Sequence, residues 1–206
     1  MIVKVEPYQA TINAIENCLN DMGKESYMQS VLKKAIKEVA DKGKSDIYTS
    51  VKKRYAVKGL KKADIKKTNS TSKNPGVTLT VKGRPLGIKG NYQHRKNSAS
   101  VGAKAKILRS GTMKEIKKNG GNDAYRAFVA TMTSGHEAIF QRIPGKYMKK
   151  HGPTGMSKGR EKIEEKYSLS KSKAAEVVYK KEDMYSRMQE EISFRLLKQM
   201  HAVTGG

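Results

Sequence analysis

The chain has 206 residues, of which 36% are hydrophobic, and it carries a formal net charge of +24 at pH 7. This length fits one domain, or one domain with a helical extension, and the low apolar fraction argues against a large enzyme body. A single cysteine, Cys18, excludes a disulfide within the chain and a thiolate metal cluster. Because no stretch approaches the roughly 20 apolar residues of a membrane span, we expect no membrane partner and synthesis in the cytoplasm.

Helical periodicity dominates residues 1–57. Four apolar residues within 12–22 follow the three-four spacing of a short amphipathic helix. A second helix is predicted from about Ser26, and Gly43 costs about 1 kcal/mol relative to alanine inside it. This helix therefore either continues past Gly43 or breaks there. Residues 2–6 fit either a short strand or an irregular lead-in. The apolar face of the second helix comprises Met28, Val31, Leu32, Ala35, Ile36 and Val39, followed by Ile47, Val51 and Tyr55.

A basic antiparallel sheet is predicted over residues 58–143. Residues 77–81 alternate between apolar and polar side chains, which is the period-two signature of a half-exposed strand. Residues 101–107 alternate in the same way, but their polar positions are mostly lysines. One face of this sheet would therefore be apolar and the other cationic. Residues 86–88 fit a third strand, and residues 90–100 are typical of a basic loop.

The last part of the chain predicts a hairpin, a loop and a helix. Residues 124–143 have the alternation of a hairpin, with a turn at Gly135, which can take a positive φ. Repeated glycine and proline predict a loop over 144–171, and an apolar stripe predicts one long helix over 172–203. The element order predicts an α+β fold in a single domain, 1–206.

The positive charge is concentrated in residues 51–118, which hold twenty Lys and Arg residues and only two acids, or +18 of the total. Such a block indicates nucleic acid, an anionic surface or an acidic protein partner. Lysine predominates, and Tyr92 is the aromatic residue nearest the central cations in the sequence, which argues against base readout and stacking. Nonspecific phosphate contact, an acidic neighbour and a solvated surface remain as alternatives. The candidate contacts are Lys82, Arg84, Lys89, Arg95, Lys96, Lys104, Lys106 and Arg109.

No catalytic signature emerges from the sequence. The dipeptide His136-Glu137 invites a metalloprotease interpretation, but the second histidine four residues after the first is missing, since position 140 is Phe. The four histidines are scattered without the spacing of a ligand pair. We therefore expect no enzymatic activity, no metal and no cofactor.

Several segments, taken in chain order, resemble a known family. The stretch VKKRYAVKGLKKADIKKT at 51–68 is followed by AFVATMTSGHEAIFQRIPGK at 127–146 and then by a Lys/Glu-rich helix. This order resembles the phage minor tail protein Z family, the tail completion proteins of long-tailed phages and prophages. The resemblance spans roughly residues 28–195. Its most specific part comprises Phe128, Ala130, Thr131, Met132, Ser134, Gly135, His136, Phe140 and Arg142.

The resemblance implies a non-enzymatic virion protein that acts in tail completion at the head-proximal end, as a cap, a collar or a homo-oligomeric ring beside the tail terminator. Tube or sheath subunits and the tape measure protein are the other expected partners, with DNA in the lumen. A headless phage-tail-like bacteriocin fits equally well, and the basic face meets either DNA or an acidic partner. A free-standing nucleic-acid-binding protein is the alternative. The hairpin residues Phe128, Met132, Ser134, Gly135, His136, Phe140 and Arg142 are the candidate subunit interface.

Overall fold

The computed structural model describes residues 1–10, 12, 13, 17, 25–69, 76–98, 100–152 and 155–204, and it describes their side chains except at 25–28, 149–152, 155–158 and 200–204. Most of the helix predicted over 12–22, including Cys18, lies outside the described residues. The fold is a mixture of helices and antiparallel sheets, which confirms the predicted α+β class.

The described regular structure includes eleven strands, four α-helices and three short 3-10 helices. The strands are β1 Ile2–Val5, β2 Ile65–Asn69, β3 Val77–Val81, β4 Leu86–Gly87, β5 Gln93–Arg95, β6 Lys104–Lys106, β7 Lys114–Glu115, β8 Phe128–Thr131, β9 Glu137–Gly152, β10 Gly155–Glu165 and β11 Tyr167–Ser168. The helices are α1 Glu25–Arg54, α2 Ile88–Asn91, α3 Lys171–Lys181 and α4 Met184–Thr204.

The chain divides into two compact units, where the sequence suggested a single domain. The first unit comprises Met1–Val51, Leu60–Gly83 and Lys171–Gly206, and the second comprises Lys52–Gly59 and Arg84–Ser170. Each unit contains sheet and helix of its own.

A three-stranded antiparallel sheet of order β1-β3-β2 lies in the first unit. Val3 pairs with Leu79 in β3, and Ile65 pairs with Val81. These four side chains are buried, whereas Thr78 and Thr80 are only half-buried. The alternation predicted at 77–81 is therefore confirmed, and its apolar face is covered.

Helix α1 continues through Gly43, which decides between the two predicted alternatives. Its buried residues follow the predicted apolar face from Leu32 to Val51. Gly43 is itself buried, and a Cβ at this position would clash with the methyl group of Met188 in α4. The missing side chain thus leaves room for the tip of Met188, and this packing offsets the low helix propensity of glycine.

Two helices occupy the C-terminal region, so the prediction of one helix over 172–203 is wrong. The break falls at Asp183, whose φ of 43° lies in the left-handed region. Aspartate is among the residues that tolerate this region, because its short polar side chain bonds locally. Here the Asp183 carboxylate accepts a hydrogen bond from Ser186 Oγ at 3.1 Å.

The strands of the second unit fall into three small antiparallel sheets, of order β11-β4, β5-β6-β7 and β10-β9-β8. The middle of the chain is therefore antiparallel as predicted, but its strands are divided among several sheets. The predicted third strand shortens to β4 because α2 begins at Ile88, and the predicted loop at 90–100 contains β5. Within 101–107 only Lys104–Lys106 is a strand.

The hairpin predicted over 124–143 is confirmed, with Phe128 opposite Phe140, Thr131 opposite Glu137 and Gly135 at φ 80° in the turn. The loop predicted over 144–171 is wrong, because β9 continues to Gly152 and pairs with β10. Glycine and proline produce a bulge instead of a loop.

The bulge lies in the middle of β9. Tyr147 is opposite Glu161 and Arg142 is opposite Ile163, so residues 143–146 of β9 face a single residue of β10. Pro144 cannot donate to the ladder, and Gly145 takes a φ of 71°.

Among the described residues, no helix is sufficiently long and apolar to span a membrane.

Candidate functional site

The predicted cationic residues do not form one sheet face. Lys82 lies in the first unit, directly after β3, whereas Lys104 and Lys106 lie on β6 in the second unit. The prediction that these three lysines share a sheet is wrong, because two similar alternating patterns belong to different sheets. The other candidate cations of the second unit are Arg84, Lys89, Arg95, Lys96 and Arg109.

Most of the charge belongs to the second unit. It contains 23 Lys and Arg residues and six Asp and Glu residues, a formal charge of +17 out of +24. The first unit has the remaining +7, from 20 basic and 13 acidic residues. The second unit therefore offers an anionic partner the stronger positive charge.

Cations oppose one another on the β5-β6-β7 sheet. Arg95 is directly opposite Lys104, and on the same face Gln93 is opposite Lys106. Ala105 points to the other face and is buried. Like charges directly opposite one another destabilise a sheet by up to about 1 kcal/mol. An anion over this face would remove that repulsion.

These cations lack partners within the described part of the chain. Arg95, Lys104 and Lys106 form no ion pair with any described residue. Glu115 lies across from Lys104, but its Oε1 accepts a hydrogen bond from the Gly102 backbone N–H at 2.9 Å. Even with the Glu115 carboxylate beside it, the cationic row Arg95, Lys104 and Lys106 keeps an excess of positive charge for an external anion.

Lys89 and Tyr92 already interact with other residues of the second unit. Lys89 forms an ion pair with Glu137, and the hydrogen bond from Lys89 holds the pKa of that carboxyl below its usual range. Tyr92 is 1% exposed, and burial raises the pKa of its hydroxyl although Ser168 hydrogen-bonds it. Tyr92 therefore offers no stacking platform for a nucleobase.

The family-like motif forms the tip and first part of the long hairpin. Ser134, Gly135, His136 and Arg142 are exposed, whereas Phe140 is buried. The turn is closed by the Met132 backbone N–H, which donates to the His136 carbonyl at 2.8 Å. The tip of the hairpin therefore presents exposed polar residues around a fixed turn.

An aromatic cluster supports the hairpin from one face. The rings of Phe128 and Phe140 lie 6.5 Å apart, and the Arg142 guanidinium lies 5.9 Å from the Phe128 ring centre. His136 meets the Phe140 ring edge-on at 6.3 Å. Phe128, Phe140 and Arg142 are thus held by cross-strand packing, and His136 packs against Phe140 from the turn.

His136 and Glu137 turn toward different partners. His136 Nε2 lies 2.9 Å from Glu165 Oε2, which also accepts a hydrogen bond from the Tyr167 hydroxyl at 3.0 Å. Glu137 is paired with Lys89 instead. Within the described ranges, no three His, Cys, Asp or Glu side chains converge in a way that could hold a metal ion.

Sequence reasoning missed Gln141, which lies between two motif residues. Gln141 is completely buried, and its amide donates to the backbone carbonyls of Lys117 at 2.9 Å and Tyr125 at 2.7 Å. Gln141 is a polar residue next to Arg142 on a strand, and nothing in the local sequence indicates that its side chain is buried. Its amide ties two irregular segments to β9.

Comparison of the chain with protein-family models, with curated proteins and with solved structures gave no match.

Proposed function

We propose that this chain is a non-enzymatic structural protein of a phage tail or phage-tail-like particle. It would act in tail completion at the head-proximal end, as a cap, a collar or a ring beside the tail terminator. The observation that carries this proposal is the 127–146 segment. The residues that resemble the tail completion family form a hairpin whose turn residues Ser134, Gly135 and His136 are exposed.

The expected partners follow from the same resemblance. They are further copies of the chain, the tail terminator, tube or sheath subunits and the tape measure protein, with DNA in the lumen. The second unit, at +17, is suited to an acidic ring or to DNA. Exposed Tyr147 and Met148 on β9 add apolar surface that a neighbouring subunit would cover.

The test combines oligomeric state with tail binding. Purified protein is analysed by sedimentation and electron microscopy, and is then added to tails assembled without it. We expect rings, and binding at one end of the tails. A protein that stays monomeric and does not bind such tails contradicts the proposal.

A second candidate function, a free-standing protein that binds nucleic acid without sequence preference, is favoured by the cationic row on β5 and β6. It predicts duplex DNA binding that falls steeply with salt, because bound cations displace counterions. Arg95→Gln with Lys104→Gln should lower both the affinity and the salt slope. Absence of binding at low salt would remove this candidate.

A further inference from the structure

A groove lies beside the bulge of β9 in the second unit. It has a volume of about 520 Å³. The bulge at 143–146 interrupts the ladder, and such interruptions change the direction of neighbouring side chains. The groove is lined by Phe128, Arg142, Met148, Arg160, Glu161 and Ile163.

Two arginines of the groove are free to bind an anion. Arg142 and Arg160 are exposed, and neither forms an ion pair with a described residue. Glu161 lines the same groove, but its Oε1 accepts a hydrogen bond from the Tyr125 hydroxyl at 3.2 Å. The groove therefore presents two guanidinium groups and one carboxylate that already has a partner.

The remaining lining is apolar. Met148 is 51% exposed, and Phe128 and Ile163 are half-buried. Guanidinium groups bind carboxylates through parallel hydrogen bonds, while methionine adapts to aliphatic side chains of varied shape. An occupant that satisfies both kinds of lining needs a carboxylate and an aliphatic group close together.

A polypeptide fits these requirements better than a nucleic acid does. The Arg142 guanidinium already lies over the Phe128 ring, and Met148 and Ile163 have no aromatic face on which a base could stack. The Glu161 carboxylate repels a phosphate and a peptide carboxylate alike, so it is the apolar lining that selects a segment of protein.

We propose that this groove is the docking site for an acidic segment of a partner protein, in which carboxylate and aliphatic side chains alternate. Arg142 and Arg160 bind the carboxylates, and Met148, Phe128 and Ile163 bind the aliphatic side chains. This inference rests on the proposed function, because assembly with other tail proteins supplies the partner.

The test uses a short fluorescent peptide of alternating glutamate and leucine, titrated with the full chain and followed by anisotropy. Arg142→Glu with Arg160→Glu should weaken binding by at least about tenfold, because two charge-assisted contacts become repulsive. The matched control, Lys33→Glu with Lys34→Glu, changes the net charge equally at two exposed lysines of α1 in the first unit. It should weaken binding by less than about threefold, because separated surface charges are screened.

A second variant tests the groove independently, in case the first variant does not fold. Met148→Asp changes one exposed residue, and it should also weaken the peptide by at least about tenfold, because a carboxylate then occupies the apolar lining. Circular dichroism checks that every variant retains the parent spectrum.

Several outcomes overturn the proposal. These are no peptide binding at low salt, equal loss in the groove and control variants, and equal binding of a glutamine–leucine or a glutamate–serine peptide. Duplex DNA binding that is lost only in the groove variant assigns the groove to nucleic acid instead.

The tail-binding assay separates the two proposals. If the protein binds tails but does not bind the peptide, only the groove proposal is refuted. A protein that binds the peptide through Arg142 and Arg160 but neither oligomerises nor joins tails refutes the assembly function alone.

Discussion

Asp64 connects two distant segments of the first unit. Its carboxylate accepts a hydrogen bond from the Lys61 backbone N–H at 2.7 Å and pairs with Lys171 at 2.9 Å. Partial burial acts to raise the pKa of Asp64, but the hydrogen bond from Lys61 and the ion pair with Lys171 outweigh it. The pKa therefore lies below its ordinary value of 3.8.

We expect Asp64→Asn to lower the free energy of unfolding at pH 7 by about 1 kcal/mol, because a charge-assisted pair is lost. A lowered folded-state pKa stabilises the protein above the unfolded-state pKa, and this contribution disappears as the pH falls through the folded-state value. When the pH is lowered below about 4, the free energy of unfolding should therefore fall less in the variant than in the parent. Urea denaturation across that range measures both effects.

The control for this prediction is Asp46→Asn. Asp46 forms no hydrogen bond or ion pair with a described residue, so its substitution should stay within about 0.5 kcal/mol. An equal loss in the two variants would contradict the assigned role of Asp64.

Gln141→Met should destabilise the protein by about 2 kcal/mol, because the Lys117 and Tyr125 carbonyls lose their buried donor. Gln93→Met, on an exposed residue, is the control and should be nearly neutral. Chemical denaturation of the two variants measures the difference. Similar values would show that the Gln141 amide contributes little to stability.

Between the elements of the first unit, the tip of the Met188 side chain in α4 packs against Gly43 of α1. A double-mutant cycle tests this contact. Gly43→Ala and Met188→Ala should together cost about 1 kcal/mol less than the sum of the single substitutions, because removing the methionine relieves the clash with the new Cβ. Equilibrium unfolding of the four proteins measures the coupling.

The control cycle uses Gly90→Ala in place of Gly43→Ala. Gly90 also lies in a helix, but a Cβ added to it would have no described atom within 4 Å. Gly90→Ala and Met188→Ala should be additive. Additivity in the Gly43 cycle would contradict the contact between Met188 and Gly43.

The break between α3 and α4 depends on the left-handed conformation of Asp183. We expect Asp183→Gly to be more stable than Asp183→Ala by about 1 kcal/mol, because glycine takes positive φ without a Cβ clash. Both variants lose the Ser186 hydrogen bond, so the comparison isolates the backbone. Thermal or urea unfolding measures it, and an alanine variant of equal stability would show that the two helices merge at little cost.

At the scale of the whole molecule, the charge predicts a dependence on salt. The net charge of +24 repels itself, and salt screens that repulsion. The melting temperature should therefore rise with sodium chloride at low ionic strength. The variant Arg95→Gln with Lys104→Gln should show a smaller rise. A melting temperature that does not change with salt would contradict this prediction.

Local patterns predicted several elements correctly. The alternation at 77–81 and the turn at Gly135 led to the right strands, because short-range periodicity follows directly from burial on one face. The loop predicted over 144–171 is wrong because its structure depends on a distant strand and not on local periodicity. Glycine and proline mark irregular backbone, but only pairing with β10 decides whether that irregularity is a loop or a bulge.

The candidate site was only partly predictable. Its cations could be counted from the sequence, but whether a cation has a partner depends on distant residues. Lys89 meets Glu137, whereas Arg95 faces Lys104. Arg160 and Met148 were missed, because they lie in the segment predicted to be a loop.

Residues close together in the chain were enough to predict the α+β class, the concentration of positive charge and the hairpin at Gly135. The tertiary structure decided that the alternating strands belong to separate sheets in two units. It also decided that the second unit contains a groove with two arginines free of ion pairs to the described residues. Strand partners and ion pairs join residues far apart in the chain, and no local pattern specifies which distant residue will meet which.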